Sequence, residues 1–278
     1  MKPHVQNMPT LRDIREAHGW KRAYEQYLPL SRYVFRPVGF RLTWVAIRMG
    51  WTSEGVSWLS GLVGLAGCAL LASGSPEMLP VGIGVLFLFN LLDCVDGSLA
   101  RTLKTQNPYG RFLDSVCGGV IDLAFWGIVG IMAFQQPQLL HWPQPWGYGP
   151  VFWLAVGGLT CFLCIFLGFL ERTFDDLLRE QWDLLHQRPA HVSGIAGVAG
   201  GAAATPGGDH HVEHMWLRTI ATNMRVRETH YALLLVAYGI GRLELLLSLY
   251  LLYYLAHCVL LLIVYAQRGL KIMAGHLG

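Results

Sequence analysis

The sequence predicts an all-α integral membrane protein: six transmembrane helices preceded by an N-terminal interfacial amphipathic helix. Charge is scarce, with 14% of residues Asp, Glu, Lys or Arg against about 25% in soluble domains. It is also unevenly placed: between Met49 and Asn90 only Glu54 and Glu77 are charged, and between Leu123 and Leu170 nothing is. Apolar stretches near 20 residues are long enough to cross a bilayer as helices, and the slight net charge of +3 with no basic, aromatic-interleaved patch gives no sign of nucleic-acid binding.

Residues 1–48 form an N-terminal cytoplasmic or interfacial helical segment. Leu11, Ile14, Trp20, Tyr24, Tyr27 and Leu28 alternate there with Arg12, Arg15, Lys21 and Arg22, the pattern of a helix lying in the headgroup layer, although a solvated helix would carry the same residues. No apolar stretch ahead of a small-residue cleavage site marks a signal peptide. Residues 49–278 form a six-helix transmembrane catalytic domain, with apolar runs near 54–74, 79–98, 112–134, 149–170, 229–243 and 245–267. The fifth is short in apolar residues and is expected to continue as a polar helix.

Lys and Arg orient these spans. Segments 71–80 and 135–148 contain neither, whereas Arg101, Lys104 and Arg111 sit in the turn after the second span and basic residues crowd the loop from Arg172 to Arg227. By the positive-inside rule, both termini, the turn at 99–111 and the loop at 171–228 are cytoplasmic. Trp142 and Trp146 read as an outer aromatic belt, and Arg242 with Glu244 as a pair at the outer headgroups. The six cysteines (68, 94, 117, 161, 164 and 258) all lie in apolar runs and give no disulfide framework. Residues 185–215 read as a flexible Gly/Ala-rich cytoplasmic loop. His210, His211 and His214 beside it are either a metal cluster or solvated polar sequence.

Against this background Asp93, Asp96, Asp114 and Asp122 stand out. One carboxylate at the centre of a membrane helix costs about 2.5–3.5 kcal/mol on insertion scales, so four cost on the order of 10 kcal/mol. Asp93 and Asp96 share a helix face with Gly97 and Ala100, one turn on. The chain turns at Asn107-Pro108, and Asp114 lies four residues beyond Gly110 on the next, antiparallel helix. Counting residues from that turn puts Asp96 level with Asp114, Asp93 with Gly118, and Asn90 with Asp122. Acids converging from two helices with no Lys or Arg at their depth suit hard divalent cations bound through oxygen, such as Mg²⁺, Mn²⁺ or Ca²⁺. Protonated acids tying the helices together are the structural alternative.

Asp93-x-x-Asp96-Gly97-x-x-Ala100-Arg101, eight residues, then Gly110-x-x-x-Asp114 resembles the signature of the CDP-alcohol phosphotransferase (CDP-alcohol phosphatidyltransferase) family. The six-span layout behind an interfacial helix is similar too, although the 185–215 insertion has no place in it. The resemblance implies a homodimeric membrane transferase of phospholipid or related lipid biosynthesis. Such an enzyme moves a substituted phosphate from a CDP-linked donor, for example CDP-diacylglycerol or another CDP-alcohol, to an acceptor alcohol and releases CMP. It implies Asp93, Asp96 and Asp114 as ligands of Mg²⁺ or Mn²⁺, two ions in all. Gly97, Ala100, Arg101 and Gly110 would lie against the nucleotide and its diphosphate.

The family's fourth aspartate, a metal ligand and the expected base toward the acceptor hydroxyl, is replaced here by Gly118. Asp122, one turn deeper, either acts as the catalytic base through a water or bonds Asn90. Glu171, Arg172, Asp175, Asp176, Arg218, Arg225 and Arg227 are candidates for an acceptor site, and positive-inside anchoring explains the arginines equally well. Two other readings remain: a divergent relative that binds metal and CDP-nucleotide without chemistry, and a divalent-cation transporter using the same acids. Acids gathered toward one face, with no second acidic half, speak against transport.

Overall fold

The computed structural model describes residues 8–19, 25–141, 149–185, 219–220 and 222–276. Trp20, Tyr24, Trp142, Trp146, Arg218, the His210/His211/His214 cluster and nearly all of the 185–215 loop lie outside the described residues. The described residues are helical, with no strand among them. They divide into two compact units, drawn from Met1–Asp122 with Gly197–Val236 and from Leu123–Ala196 with Ala237–Gly278.

In the first unit, α1 (Leu11–Ala17) starts at a reciprocal cap: Thr10 Oγ1 accepts from Asp13 N and the Asp13 carboxylate accepts from Thr10 N. Ile14 is buried beneath it. A widened helical turn, Ser31–Phe35, runs into α2 (Arg36–Arg48). Buried His18 places Nε2 2.5 Å from Glu25 Oε1, and Arg36 Nε stands 2.8 Å from the same oxygen.

Helix α3 (Ser53–Ala72) opens on a Thr52 cap and carries a buried stripe of Ser53, Ser57, Ser60, Gly61, Gly64 and Gly67. Small residues at three- and four-residue intervals let membrane helices approach closely. Here they admit α4 (Met78–Thr102) and α5 (Pro108–Gln135): a methyl at Gly67 would stand 2.9 Å from Leu86 Cδ2, and one at Gly61 2.8 Å from Cys117 Sγ. Helix α4 continues past the expected span end through the whole Asp93–Arg101 stretch. Its end and the start of α5 are organised by Asn107. The Asn107 Oδ1 accepts from Gly110 N at 2.7 Å, Pro108 needs no amide partner, and Nδ2 donates to Glu54 Oε1 at 2.7 Å.

In the second unit α6 (Pro150–Leu177), the short α7 (Arg179–Leu185) and α9 (Leu243–His276) pack with the far half of α5. Gly130 and Gly157 meet backbone to backbone, so that a methyl at Gly157 would lie 2.5 Å from Gly130 Cα. Trp126 packs on Tyr250 with ring centroids 4.1 Å apart, and Phe174 stacks on Tyr265 at the same separation. Arg242 Nη1 lies 3.4 Å from Glu244 Oε1, and that oxygen also accepts from His141 N. The expected Arg242–Glu244 pair is therefore present, with the glutamate fully buried.

Among the described residues, five helices are long and apolar enough to cross a membrane: Ser53–Ala72, Met78–Thr102, Pro108–Gln135, Pro150–Leu177 and Leu243–Ala274. The apolar runs of the sequence predict six. The difference is α8 (Arg227–Gly239), whose 13 residues span about 20 Å at 1.5 Å per residue, against a hydrocarbon core of about 30 Å.

Candidate functional site

The site lies in the first unit, where α3, α4, α5 and the start of α8 place their polar side chains. Asp96 is buried. Its Oδ2 accepts from Ser57 Oγ at 2.6 Å and its Oδ1 from Gly97 N. The charges of Asp93 and Asp114 both act on it, so the two acids of α4 and the first acid of α5 do share one neighbourhood. Asp114 is the exposed member of the three. Among the described residues, however, no three His, Cys, Asp or Glu side chains converge as a ready-made ligand set. Protein donors explain this in part, since Ser57 and the backbone hold Asp96 and a cation holds Asp93.

That cation is Arg227, the first residue of α8 and almost fully buried. Its Nε lies 2.6 Å and its Nη2 2.9 Å from the two oxygens of Asp122, while Nη1 reaches Asp93 Oδ2 at 3.1 Å. Its guanidinium carbon stands 5.2 Å from the centroid of the Phe89 ring. The hollow left by Gly118 is filled by the same group: a Cβ at 118 would overlap Arg227 Nη2. Arg227 thus touches the levels of both Asp93 and Asp122, the rungs that residue counting set against Gly118 and Asn90. Asp122 does not bond Asn90, whose Nδ2 is buried without a hydrogen-bond partner. The expectation of acids with no basic residue at their depth fails at this point. Arg227, grouped in the sequence with loop arginines, opens an apolar helix and turns inward.

Arg101 occupies the other end of the ladder. It folds back over Gly97, and a methyl there would stand 3.1 Å from its Nη1. Its Nη2 lies 3.5 Å from Ser98 Oγ, and its Nε is buried without an acceptor. The charges of Asp96 and Asp114 act on it. Gly110 has ordinary space around it, since a methyl added there would meet nothing nearer than Asn107 Oδ1 at 3.6 Å. Ser57, Glu54 and Asn107 are the site's supporting groups that the motif did not reveal. The Ser57 signal was present as one member of a small-residue stripe whose other members only pack. Of the acceptor candidates, Asp175 pairs with Arg179 at 2.6 Å in the second unit.

The model of the CDP-alcohol phosphatidyltransferase family matches residues 54–171. Those residues are a CDP-alcohol phosphatidyltransferase domain. The match takes in α3, α4, α5 and most of α6, and therefore Asp93, Asp96, Gly97, Arg101, Gly110, Asp114 and Asp122. It stops before Arg227. No curated protein matches the chain. The matched segment and the apolar helices support a multi-pass membrane protein that carries a phosphotransferase-type domain.

Proposed function

We propose that this chain transfers a substituted phosphate from a CDP-linked donor, such as CDP-diacylglycerol or another CDP-alcohol, to an acceptor alcohol with release of CMP. The observation that carries the reading is the family-matched segment itself, in which Asp93 and Asp114 act on buried Asp96 while Arg101 presents a buried Nε with no acceptor beside them. Carboxylate oxygens are hard donors that suit Mg²⁺ or Mn²⁺, and Asp93, Asp96 and Asp114 are the residues that would hold the metal. When bound, such an ion supplies positive charge for the diphosphate and for the leaving CMP oxygen. Ser57 fixes the Asp96 carboxylate, Arg101 offers its guanidinium to the diphosphate, and the small residues Gly97, Ala100 and Gly110 would lie against the nucleotide.

In the reaction the acceptor oxygen bonds to phosphorus, the bond from phosphorus to the CMP oxygen breaks, and the hydroxyl proton passes to a base. Asp122 is the acid proposed for that proton, and it serves only once its carboxylate leaves the Arg227 fork. That requirement favours a second reading, a relative that binds metal and nucleotide without turnover. We further propose that α8, with the helical residues just before it, completes a sixth crossing, that the N-terminal segment lies on the membrane, that the chain works as a homodimer, and that the site and both termini face the cytoplasm.

The experiment is CMP release by the purified chain in liposomes, over a panel of CDP-linked donors and hydroxyl acceptors. Turnover that needs Mg²⁺ or Mn²⁺ and stops in EDTA is expected. Metal-dependent CDP binding with no CMP from any pair would select the non-catalytic reading. Divalent-ion uptake into the liposomes without nucleotide would select transport. Cysteines placed in 71–80 should label from outside the cytoplasm.

A further inference from the structure

We infer that Arg227 takes the place of a second metal ion, so that this chain binds one divalent cation with its nucleotide and not two. The inference rests on the proposed metal-dependent reading and concerns only how many ions that site accepts. Three observations meet on one side chain. Arg227 Nη1 is 3.1 Å from Asp93 Oδ2, so the acid of α4 that faces the 118 level already has a cationic partner. Its Nε and Nη2 are 2.6 and 2.9 Å from the two oxygens of Asp122, so the deepest acid is likewise neutralised. At 118, where a fourth carboxylate would complete a two-ion site, there is no side chain, and the space such a side chain would enter holds Arg227 Nη2.

A planar guanidinium presents its donors in a fixed fork and stays charged at any working pH. Held between two carboxylates, it fills the volume and supplies the charge that an ion would bring to the inner half of the ladder. The outer half differs: the Asp96 oxygens accept from Ser57 Oγ and Gly97 N, and the charges of both Asp96 and Asp114 act on the folded-back Arg101. Under the proposed reading one ion is held there, by Asp96 and Asp114 with Asp93 on its inner side. Gly118 and Arg227 form a matched pair under this reading. An acid at 118 needs the guanidinium gone, and the guanidinium needs 118 to be glycine.

The test counts ions without relying on turnover. Purified full-length protein is titrated with Mn²⁺ in the presence of CDP, and bound manganese is measured by equilibrium dialysis and electron paramagnetic resonance. One Mn²⁺ per chain is expected, with the spectrum of a magnetically isolated ion. Two per chain, with spin coupling between them, would overturn the inference and leave the metal-dependent reading standing. No manganese bound with CDP would overturn both. The double variant Gly118→Asp/Arg227→Gln should gain a second, coupled Mn²⁺. If it folds and still binds a single ion, Arg227 is not what excludes the second, and the inference fails. Because the parent chain's own stoichiometry is decisive, a variant that does not fold leaves the test intact.

Discussion

Arg227 and Asp122, 105 residues apart, meet through two hydrogen bonds of 2.6 and 2.9 Å. Breaking a buried pair from one side leaves an uncompensated charge and costs about 3–5 kcal/mol, whereas replacing both partners costs far less. Asp122 retains some exposure, so the lower end applies. Arg227→Met should destabilise by about 3 kcal/mol, and Arg227→Met with Asp122→Leu by less than either single change adds up to. Unfolding of the four proteins in one detergent measures the coupling. Additive effects would mean the pair contributes nothing.

The same pairing separates two roles for Asp122. General base catalysis is worth about 10²- to 10⁴-fold. If Asp122 takes the acceptor proton, Asp122→Asn should lower kcat within that range and leave CDP affinity nearly unchanged. An Asp122→Asn protein that folds, binds CDP and turns over near the parent rate removes Asp122 from the chemistry.

Ser57 offers a gentler probe of the metal acids. Its hydroxyl donates to Asp96 at 2.6 Å, and loss of a group that orients a ligand commonly weakens metal affinity about 10- to 100-fold. Ser57→Ala should weaken Mn²⁺ about tenfold by titration without altering the number of ions bound. Unchanged affinity would place Asp96 outside the metal set.

Gly97 and Gly110 predict opposite balances. A methyl at 97 crowds Arg101 at 3.1 Å, whereas a methyl at 110 meets nothing closer than 3.6 Å. Gly97→Ala should displace the guanidinium and reduce CDP affinity about tenfold, or about 1.4 kcal/mol. Gly110→Ala should raise helix stability by up to about 1 kcal/mol and weaken CDP only if the nucleotide lies on that backbone. Paired melting and CDP titration distinguish the two.

The N-terminal cluster predicts a pH dependence. Burial outweighs the Glu25 carboxylate and, aided by Arg36 and Arg101, holds the His18 imidazole below its ordinary 6.5. The unfolded chain then takes up a proton that the folded chain refuses, so stability is lost as pH falls below about 6.5. His18→Gln should flatten that part of the profile in thermal unfolding at a series of pH values. An equally steep profile in the variant would assign the loss elsewhere.

Five of the expected spans and the gathering of the acids were readable because hydropathy and charge are local properties. Counting residues from the turn set Asp93 level with Gly118, and Arg227 reaches both positions. What counting did not supply was a partner from more than a hundred residues away. Arg227 carries no local mark that separates it from Arg225, since each follows a loop and precedes an apolar run. Nor did the acid spacing reveal Ser57, whose role depends on how closely Gly61 and Gly67 bring α3 to its neighbours. The length of α8 misled for another reason: the helix ends at Gly239, ahead of a turn in which Gly241 takes a positive φ of 65°, while the apolar composition runs on.

Asn107 sets a clock for the whole ladder. From that cap to Asp114 is seven residues, about 700° of helical turn and about 10 Å of rise, so the acid stands almost directly above the residue that starts its helix. Because Asn107 is also anchored to Glu54 on α3, the azimuth of Asp114 is dictated from the foot of a different helix. A residue inserted before Asn107 only lengthens a turn, but one inserted between Pro108 and Asp114 swings the acid by about 100° and points it at lipid. The interval from cap to carboxylate is in this sense a machined dimension, with its zero set by a glutamate more than fifty residues upstream.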